Sequence, residues 1–183
     1  SVHSRVALAN LGPDDVLFRG MIAALETSAA IDGKRDVEDA DRFTQVARQT
    51  ADAGNILAAV ITLTSLGDLR MRQGLLDEAW DVYEQAADYA RDAQGAPLPV
   101  AGQALIGLGS VAWMRNELDR AEVAIAQGTE LARGAGHLVA LDGLLYLSRI
   151  RQARGDTTGS KATLTEALEL ARQFDATKID DWL

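Results

Sequence analysis

The chain has 183 residues, of which 48% are hydrophobic, 25% are charged and only 5% are aromatic. This composition excludes a disordered chain, and its abundance of Ala, Leu, Glu and Arg favours helices over strands. The formal net charge of −9 argues against a surface that binds phosphates, so we expect no direct nucleic-acid partner, and the absence of cysteine excludes disulfides and thiolate metal sites.

The first predicted elements are a partial helix over residues 1–12 and a helix pair over residues 14–54. We identify no cleavable signal in the first residues of the sequence. Gly33 predicts the turn inside this pair, and Glu26 stands where the later repeats have a small residue. We therefore expect looser or altered packing in the first repeat.

The second repeat, residues 55–95, shows the helix-pair pattern most clearly. Gln73 and Gly74 predict the turn, because glycine readily takes the left-handed conformation that follows a helix end. The helix before the turn has a wide apolar stripe, which predicts burial on several sides, and the helix after it has a narrower one. The two stripes consist of Leu57, Val60, Ile61, Leu63, Leu66 and Leu69, and of Leu76, Ala79, Tyr83, Ala86, Ala87 and Ala90.

The third repeat, residues 99–136, begins within an uncharged stretch that extends from Ala93 to Met114. Pro97 and Pro99 interrupt this stretch, and the apolar part that follows is shorter than the roughly 20 residues needed to cross a bilayer. We therefore interpret it as a loop followed by a buried helix, and we expect no membrane partner. Asn116 predicts the next turn.

The fourth repeat, residues 137–175, has its turn at Gly155 and departs from the pattern after it. Ser160 replaces an expected alanine, and Gly159 interrupts the helix start, so we expect looser or altered packing. Residues 176–183 resemble the opening of a further helix pair. Because neither end looks like a polar cap, we expect the chain to be a fragment of a larger protein.

Four segments repeat at regular spacing, which predicts a solenoid of helix pairs. They begin at Phe43, Tyr83, Ile125 and Leu164, so they are 40, 42 and 39 residues apart. Gly67 and Gly109 occupy one register in the middle of helices, where each glycine costs about 1 kcal/mol relative to alanine. This repeated cost indicates that a neighbouring helix comes close at both positions, and Ala79 and Ala121 are expected to serve the same contact.

The run from Leu66-Gly67 through Gln73-Gly74-Leu75-Leu76-Asp77-Glu78-Ala79 resembles the tetratricopeptide signature. The repeats are longer than that family's 34 residues. The longer form resembles the maltose-regulon-activator-like helical domain of LuxR-type, ATP-dependent transcriptional regulators, over roughly residues 16–173. This likeness is found in Gly54-Asn55, in Arg115-Asn116-Glu117-Leu118-Asp119-Arg120-Ala121-Glu122 and in Leu141-Asp142-Gly143-Leu144-Leu145. The resemblance implies an all-α, tetratricopeptide-like right-handed superhelix of about four antiparallel helix pairs, as one solenoid domain over residues 1–183.

The resemblance also implies a concave groove lined by the first helix of each pair. The residues it places there come from three repeats: Thr64, Asp68, Met71, Arg72, Gln103, Ser110, Trp113, Asp142 and Arg149. Asp68, Ser110 and Arg149 would form one ladder across the repeats. Polar groups beside an indole suit a polar small molecule or a peptide. The alternative is that the charges are merely solvated and that Trp113 is core packing.

No motif for catalysis or cofactor binding stands out in the chain. The segment Gly155–Lys161 superficially resembles a phosphate loop, but its glycines are one residue too close and Ala162 replaces the magnesium-binding hydroxyl. We interpret it as an interhelical turn. His3 and His137 have no metal-ligand spacing. We expect neither an enzyme nor a cofactor or metal in this chain.

The leading functional hypothesis is a cytoplasmic sensor or regulatory domain that binds a small-molecule effector or a regulatory protein or peptide. The resemblance implies a parent with an ATPase core and a helix-turn-helix, both absent from this chain, as further partners. Self-association is a possible additional interaction. The alternative is a generic tetratricopeptide scaffold for protein or peptide binding.

Overall fold

The computed structural model describes residues 40–134 and 137–180, whose regular elements are seven α-helices. In chain order these are α1 (Ala40–Asp52), α2 (Ile56–Arg72), α3 (Leu76–Tyr89), α4 (Ala101–Met114), α5 (Leu118–Arg133), α6 (His137–Ala153) and α7 (Thr157–Asp180). The prediction of an all-α helical-repeat fold is confirmed. The predicted helices of residues 1–12 and 14–32, together with Gly33, Glu26 and His3, lie outside the described residues.

Six of the helices form three pairs, α2–α3, α4–α5 and α6–α7. Only three residues connect the helices within each pair, and the paired helices contact each other along their length. So short a connection makes the two helices antiparallel. Helix α1, the second helix of the first repeat, contacts α2 in the same way.

The turns share one backbone conformation, illustrated by the turn between α2 and α3. Gly74 has φ +78°. Its N–H donates to the Met71 carbonyl, and the N–H of Leu75 donates to the Arg70 carbonyl, at 3.0 Å in both cases. These two bonds satisfy carbonyls that the helix end would leave unpaired. The same pair of bonds and a positive φ recur at Gly54, Asn116 and Gly155.

The chain divides into two compact units, Ser1–Gly95 and Ala96–Leu183. In the first unit, Phe43 of α1 and Leu66 of α2 form a buried cluster with Val46, Leu69 and Val82 against it. In the second unit, the buried cluster consists of Ile106, Ala132 and Ala140, from α4, α5 and α6. The single solenoid over residues 1–183 stays a prediction.

The glycines in the middle of the first helices lie where the partner helix comes closest, as predicted. A side chain at Gly67 would lie 2.6 Å from Cε1 of Tyr83, and one at Gly109 would overlap Cγ1 of Ile125. Tyr83 and Ile125 occupy the same register of the second helices, and both are buried. The two pairs therefore use one contact, in which a bulky side chain of the second helix fills the space above a glycine.

A second close approach, between Gly102 of α4 and Gly128 of α5, was not predicted from the repeat. A Cβ atom at Gly128 would lie 2.7 Å from the carbonyl oxygen of Gly102, and one at Gly102 would lie 2.6 Å from that of Gly128. Here backbone meets backbone, so no side chain can move aside.

The fourth repeat is packed in an altered way, but it is not looser than the others. Ser148 and Ser160, in the places of Gly109 and Ala121, are buried, and their hydroxyl oxygens lie 3.0 Å apart within hydrogen-bonding distance. Gly159 does not interrupt α7: its N–H donates to the Asp156 carboxylate at 2.8 Å, and a side chain there would overlap that carboxylate. The glycine therefore makes room for the helix cap.

Helix α7 continues to Asp180, so residues 176–180 belong to it and do not open a separate helix. The sequence after Arg172 contains neither Gly nor Pro, and nothing in it ends the helix. The uncharged stretch has the predicted form of a loop followed by the largely buried helix α4. Within residues 40–134 and 137–180, no helix is both long enough and apolar enough to cross a bilayer.

The left-handed turn generates a first prediction. Gly74→Ala should lower the free energy of unfolding by about 1–2 kcal/mol, because a Cβ atom is strained at positive φ. No atom lies within 4 Å of the added group, so crowding does not contribute. Urea denaturation measures the change. Asn116→Gly, at the equivalent turn, is the control and should change it by less than about 0.5 kcal/mol; an unaltered Gly74→Ala midpoint would contradict the turn geometry.

The contact between Gly102 and Gly128 generates a second prediction. Within a helix, alanine is more favourable than glycine by about 1 kcal/mol of helix-forming free energy, so intrinsic propensity alone would make Gly128→Ala stabilising. The backbone contact reverses the sign, and we expect a loss of about 1–3 kcal/mol from overpacking. Thermal and urea unfolding measure it, with the exposed neighbour Gln127→Ala as control. A more stable Gly128→Ala variant would show that α4 and α5 lie farther apart.

Candidate functional site

The predicted groove residues lie on the first helices of all three described pairs. Thr64, Asp68, Met71 and Arg72 are on α2, in the first unit. Gln103, Ser110 and Trp113 are on α4, and Asp142 and Arg149 are on α6, both in the second unit. The ladder of Asp68, Ser110 and Arg149 thus draws on both units and stays a prediction.

Thr64 and Ser110 are buried, and their hydroxyl groups donate hydrogen bonds to carbonyl groups of the helices in which they lie. The Thr64 hydroxyl donates to the Val60 carbonyl at 2.9 Å, and the Ser110 hydroxyl donates to the Ile106 carbonyl at 2.8 Å. Neither hydroxyl proton is free for a ligand, so we leave both residues out of the candidate site.

Asp68 serves the contact between α2 and α3. The Tyr83 hydroxyl donates to its carboxylate, while the Tyr83 ring fills the space above Gly67. Asp68 therefore fixes the tyrosine that makes this close contact. At the end of the same helix, Met71 is half-buried and Arg72 is exposed.

In the second unit, α4 and α6 are first helices of successive pairs and contact each other directly. Gln103, Ile106 and Trp113 share one face of α4, since they follow each other at helical steps of three and seven. Ile106 is buried at this contact, and a side chain at Gly143 of α6 would lie 3.1 Å from its Cδ1 atom. Gln103 and Trp113 are half-buried on either side of it.

Beside Gly143, helix α6 has an exposed stripe that consists of Asp142, Leu145 and Arg149, with half-buried Tyr146 among them. The Arg149 guanidinium carbon lies 5.7 Å from the centroid of the Tyr146 ring, a cation–π contact. Partial desolvation raises the pKa of the Asp142 carboxyl above its ordinary value. We call Gln103, Trp113, Asp142, Leu145 and Arg149 the α4–α6 face.

Asp142 and Arg149 do not neutralise each other. They lie seven positions apart in the helix, a rise of about 10 Å, which is too far for an ion pair. Within the described part of the chain, neither side chain has a hydrogen bond or an ion pair. The face therefore offers an acceptor and a donor, about two helical turns apart, with leucine and tyrosine between them.

Sequence reasoning did not identify Tyr146 as part of this stripe. The signal was present, because residues three apart on a helix are neighbours and aromatic rings attract guanidinium groups. The groove prediction included only helix positions that were expected to face inward, and Tyr146 is next to one of these positions. Tyr146 also packs on the buried cluster of Ile106, Ala132 and Ala140, so it anchors Arg149 to the core.

The segment 155–161 is an interhelical turn that leads into the first residues of α7, and not a phosphate loop. Gly155 has φ +82°, and α7 begins at Thr157. The Asp156 carboxylate accepts the Gly159 N–H, so a negative charge already occupies this helix start. Over residues 40–134 and 137–180 there is no group of three or more His, Cys, Asp or Glu side chains placed to hold a metal ion.

Comparison with known proteins identifies one family. A family model described as the MalT-like TPR region matches residues 1–183. No curated protein and no solved structure matches the chain significantly.

The raised pKa of Asp142 generates a third prediction. A carboxyl whose pKa is higher in the folded protein disfavours folding once it ionises, so its cost is absent near pH 3 and present at pH 7. Asp142→Asn should therefore raise the melting temperature at pH 7 and lose this advantage at pH 3. Thermal scans at both pH values measure it, and Asp81→Asn, at an exposed position of α3, controls for the substitution itself. A destabilised Asp142→Asn at pH 7 would show instead that the carboxylate has a stabilising partner.

Proposed function

Because the chain belongs to the MalT-like TPR region family, whose model matches all 183 residues, we propose that it is the effector-binding regulatory region of a LuxR-type, ATP-dependent transcriptional regulator. In this proposal the region works in the cytoplasm. It acts by binding a small molecule or a regulatory polypeptide, without a cofactor and without catalysis of its own.

The observation that carries the proposal is the state of Asp142 and Arg149 on the α4–α6 face. An ionised carboxylate that is partly desolvated and unpaired reduces stability, and proteins retain such costs mainly where function requires them. Arg149 is held in place by Tyr146 and not by an acid. Both groups are thus available to a ligand that has complementary donors and acceptors.

The half-buried Trp113 and Gln103 on α4 extend this face beyond the α6 stripe. An indole provides apolar contact area, and an amide provides one donor and one acceptor group. A ligand on this face would meet apolar surface between two charged groups of opposite sign, which suits a polar effector of about 10 Å or an extended peptide of about three residues.

For such binding to regulate a parent protein, the ligand must favour one conformation of that protein over another. A ligand with equal affinity for both conformations would shift nothing, however tightly it bound. Helices α4 and α6 belong to successive pairs, so a ligand that contacts both would favour one arrangement of these pairs. We propose this as the route from binding to regulation.

A ligand screen tests the proposal and provides a fourth prediction. Oligosaccharides, nucleotides, amino-acid derivatives and short peptides are screened by thermal shift, and the affinity of each hit is measured by calorimetry. Arg149→Ala and Trp113→Ala should each weaken binding about tenfold or more, because each removes a charge-assisted hydrogen bond or an aromatic contact. Helical circular dichroism should stay unchanged in both.

The matched control is Arg120→Ala, which removes an exposed arginine from α5, outside the α4–α6 face. It should retain the affinity of the unaltered chain. Equal effects of Arg120→Ala and Arg149→Ala would contradict a site on this face, and binding confined to peptides would favour a scaffold. Independently, the reading frame that encodes the chain should also encode a phosphate loop and a helix-turn-helix; a frame with neither would remove the regulator from the proposal.

A further inference from the structure

Helix α6 presents two charges of opposite sign at a fixed spacing on one of its faces. Asp142 and Arg149 lie seven positions apart, so they share a helix face, with a rise of about 10 Å between them. Leu145 lies between them and is 37% exposed. In the part of the chain that the structure describes, neither charge has an ion pair. We call these three residues the α6 stripe: a carboxylate and a guanidinium joined by apolar surface.

The guanidinium of this stripe is held in place before any ligand binds. Its central carbon, in Arg149, lies 5.7 Å from the centroid of the Tyr146 ring. Tyr146 packs on the buried cluster of α4, α5 and α6, which fixes its ring. An arginine that is already held loses less side-chain freedom when it binds an anion, and this favours binding. One end of the stripe is therefore prepared for a carboxylate.

Helix α4 shows that a first helix covered by its neighbour lacks these two charges. Helix α6 lies against α4, where Ile106 is buried and the Ser110 hydroxyl donates to the backbone of its own helix. The residues of α4 that correspond to Asp142 and Arg149, 39 positions earlier, are Gln103 and Ser110. A further helix that packed on α6 in the same way would desolvate two charges, which is unfavourable unless each finds a partner. The charges of α6 thus favour a ligand with charges of its own over an apolar helix.

We propose that the α6 stripe binds a dipolar small molecule, whose ammonium group faces Asp142, whose carboxylate faces Arg149 and whose apolar middle lies over Leu145. This inference rests on the effector site proposed above and names the chemical class of its ligand. The reason is charge complementarity. A carboxylate can accept two parallel hydrogen bonds from a guanidinium, and an ammonium group can donate to the Asp142 carboxylate.

Other classes of small molecule fit the stripe less well. A neutral ligand such as a saccharide would leave both charges without a partner of opposite sign. A ligand with a single charge would leave one of them without a partner. A dipolar ligand with a short spacer could reach only one of the two charges, because of the rise of about 10 Å between them. Both charges and a long apolar spacer are therefore required together.

The test, and the fifth prediction, uses the full chain and ω-aminooctanoate as the probe. This molecule has an ammonium group and a carboxylate at opposite ends of an apolar chain. Octylamine and octanoate, which keep the chain and one charge each, are the matched controls. At low salt, NMR titration should show that ω-aminooctanoate binds about threefold or more tightly than either control, since exposed charge pairs contribute modestly and salt screens them. Free glycine, whose two charges lie too close together to span the stripe, should bind more weakly than ω-aminooctanoate by a similar factor.

Two variants assign each charge of the ligand to one residue. In Asp142→Asn, ω-aminooctanoate should bind no more tightly than octanoate, because its ammonium group has lost its partner. In Arg149→Gln, it should bind no more tightly than octylamine. Both residues are exposed, so both variants should keep the helical circular dichroism of the unaltered chain. Arg120→Gln, which removes an exposed arginine from α5, is the control and should keep the full preference for ω-aminooctanoate.

Three results would overturn the proposal. One is equal affinity for ω-aminooctanoate and both of its controls, and another is a preference that Asp142→Asn and Arg149→Gln both retain. The third is a dimer of the unaltered chain, seen by light scattering, that Arg149→Gln converts to a monomer, because a second copy would then occupy the stripe.

Failure of the ligand class can be distinguished from failure of the effector site. If ω-aminooctanoate shows no preference while another hit of the ligand screen loses affinity in Arg149→Ala, the dipolar class is wrong and the effector site stands. If no ligand of the screen and no probe binds the chain, the effector site itself is contradicted.

Discussion

The structure depends on how closely two helices of a pair can approach. Side chains normally keep helix axes 8–10 Å apart, and a closer approach requires a missing side chain on one helix. Gly67 and Gly109 provide this, and Tyr83 and Ile125 occupy the space that results. In the fourth repeat, Ser148 and Ser160 stand in the places of Gly109 and Ala121. Because their hydroxyl groups are buried, they need hydrogen-bond partners, and they provide these for each other. One geometric requirement is thus met by two kinds of chemistry.

The close contact also decides which polar groups remain free on the first helices. Asp68 follows Gly67 directly, and its carboxylate accepts a hydrogen bond from the hydroxyl of Tyr83, which fills the space above that glycine. In the next pair, Ile125 has no hydroxyl to donate. Ser110, which follows Gly109, therefore donates to the backbone of its own helix. Arg149 follows Ser148, where the contact is closed by two serines, and its guanidinium is left to Tyr146. The equivalent residues Asp68, Ser110 and Arg149 thus differ in role: the first two make structural hydrogen bonds, and the third is exposed.

The sequence was sufficient for features that depend on one helix or one turn. The turns at Gly74, Asn116 and Gly155 follow from local backbone preference, and the close contacts at Gly67 and Gly109 could be predicted because the repeat places them twice. The contact between Gly102 and Gly128 could not, since Val60 and Leu141 stand at the places equivalent to Gly102. The resemblance implies which helix positions face the groove but not how deeply each side chain is buried, which is why buried Thr64 and Ser110 were included in the predicted groove.

Helix α6 provides part of the α4–α6 face, so its contact with α7 determines whether a ligand on this face can move α6 alone. The Ser148 and Ser160 hydroxyls meet inside this contact, and the Arg151 guanidinium donates to the Thr163 hydroxyl three residues farther along both helices. Sliding α7 along α6 would break both interactions at once and leave buried polar groups unsatisfied. The pair is therefore expected to move as a rigid body. A ligand that displaces α6 would then move the whole pair, and helices α4 and α5, which the pair contacts, would have to accommodate that movement.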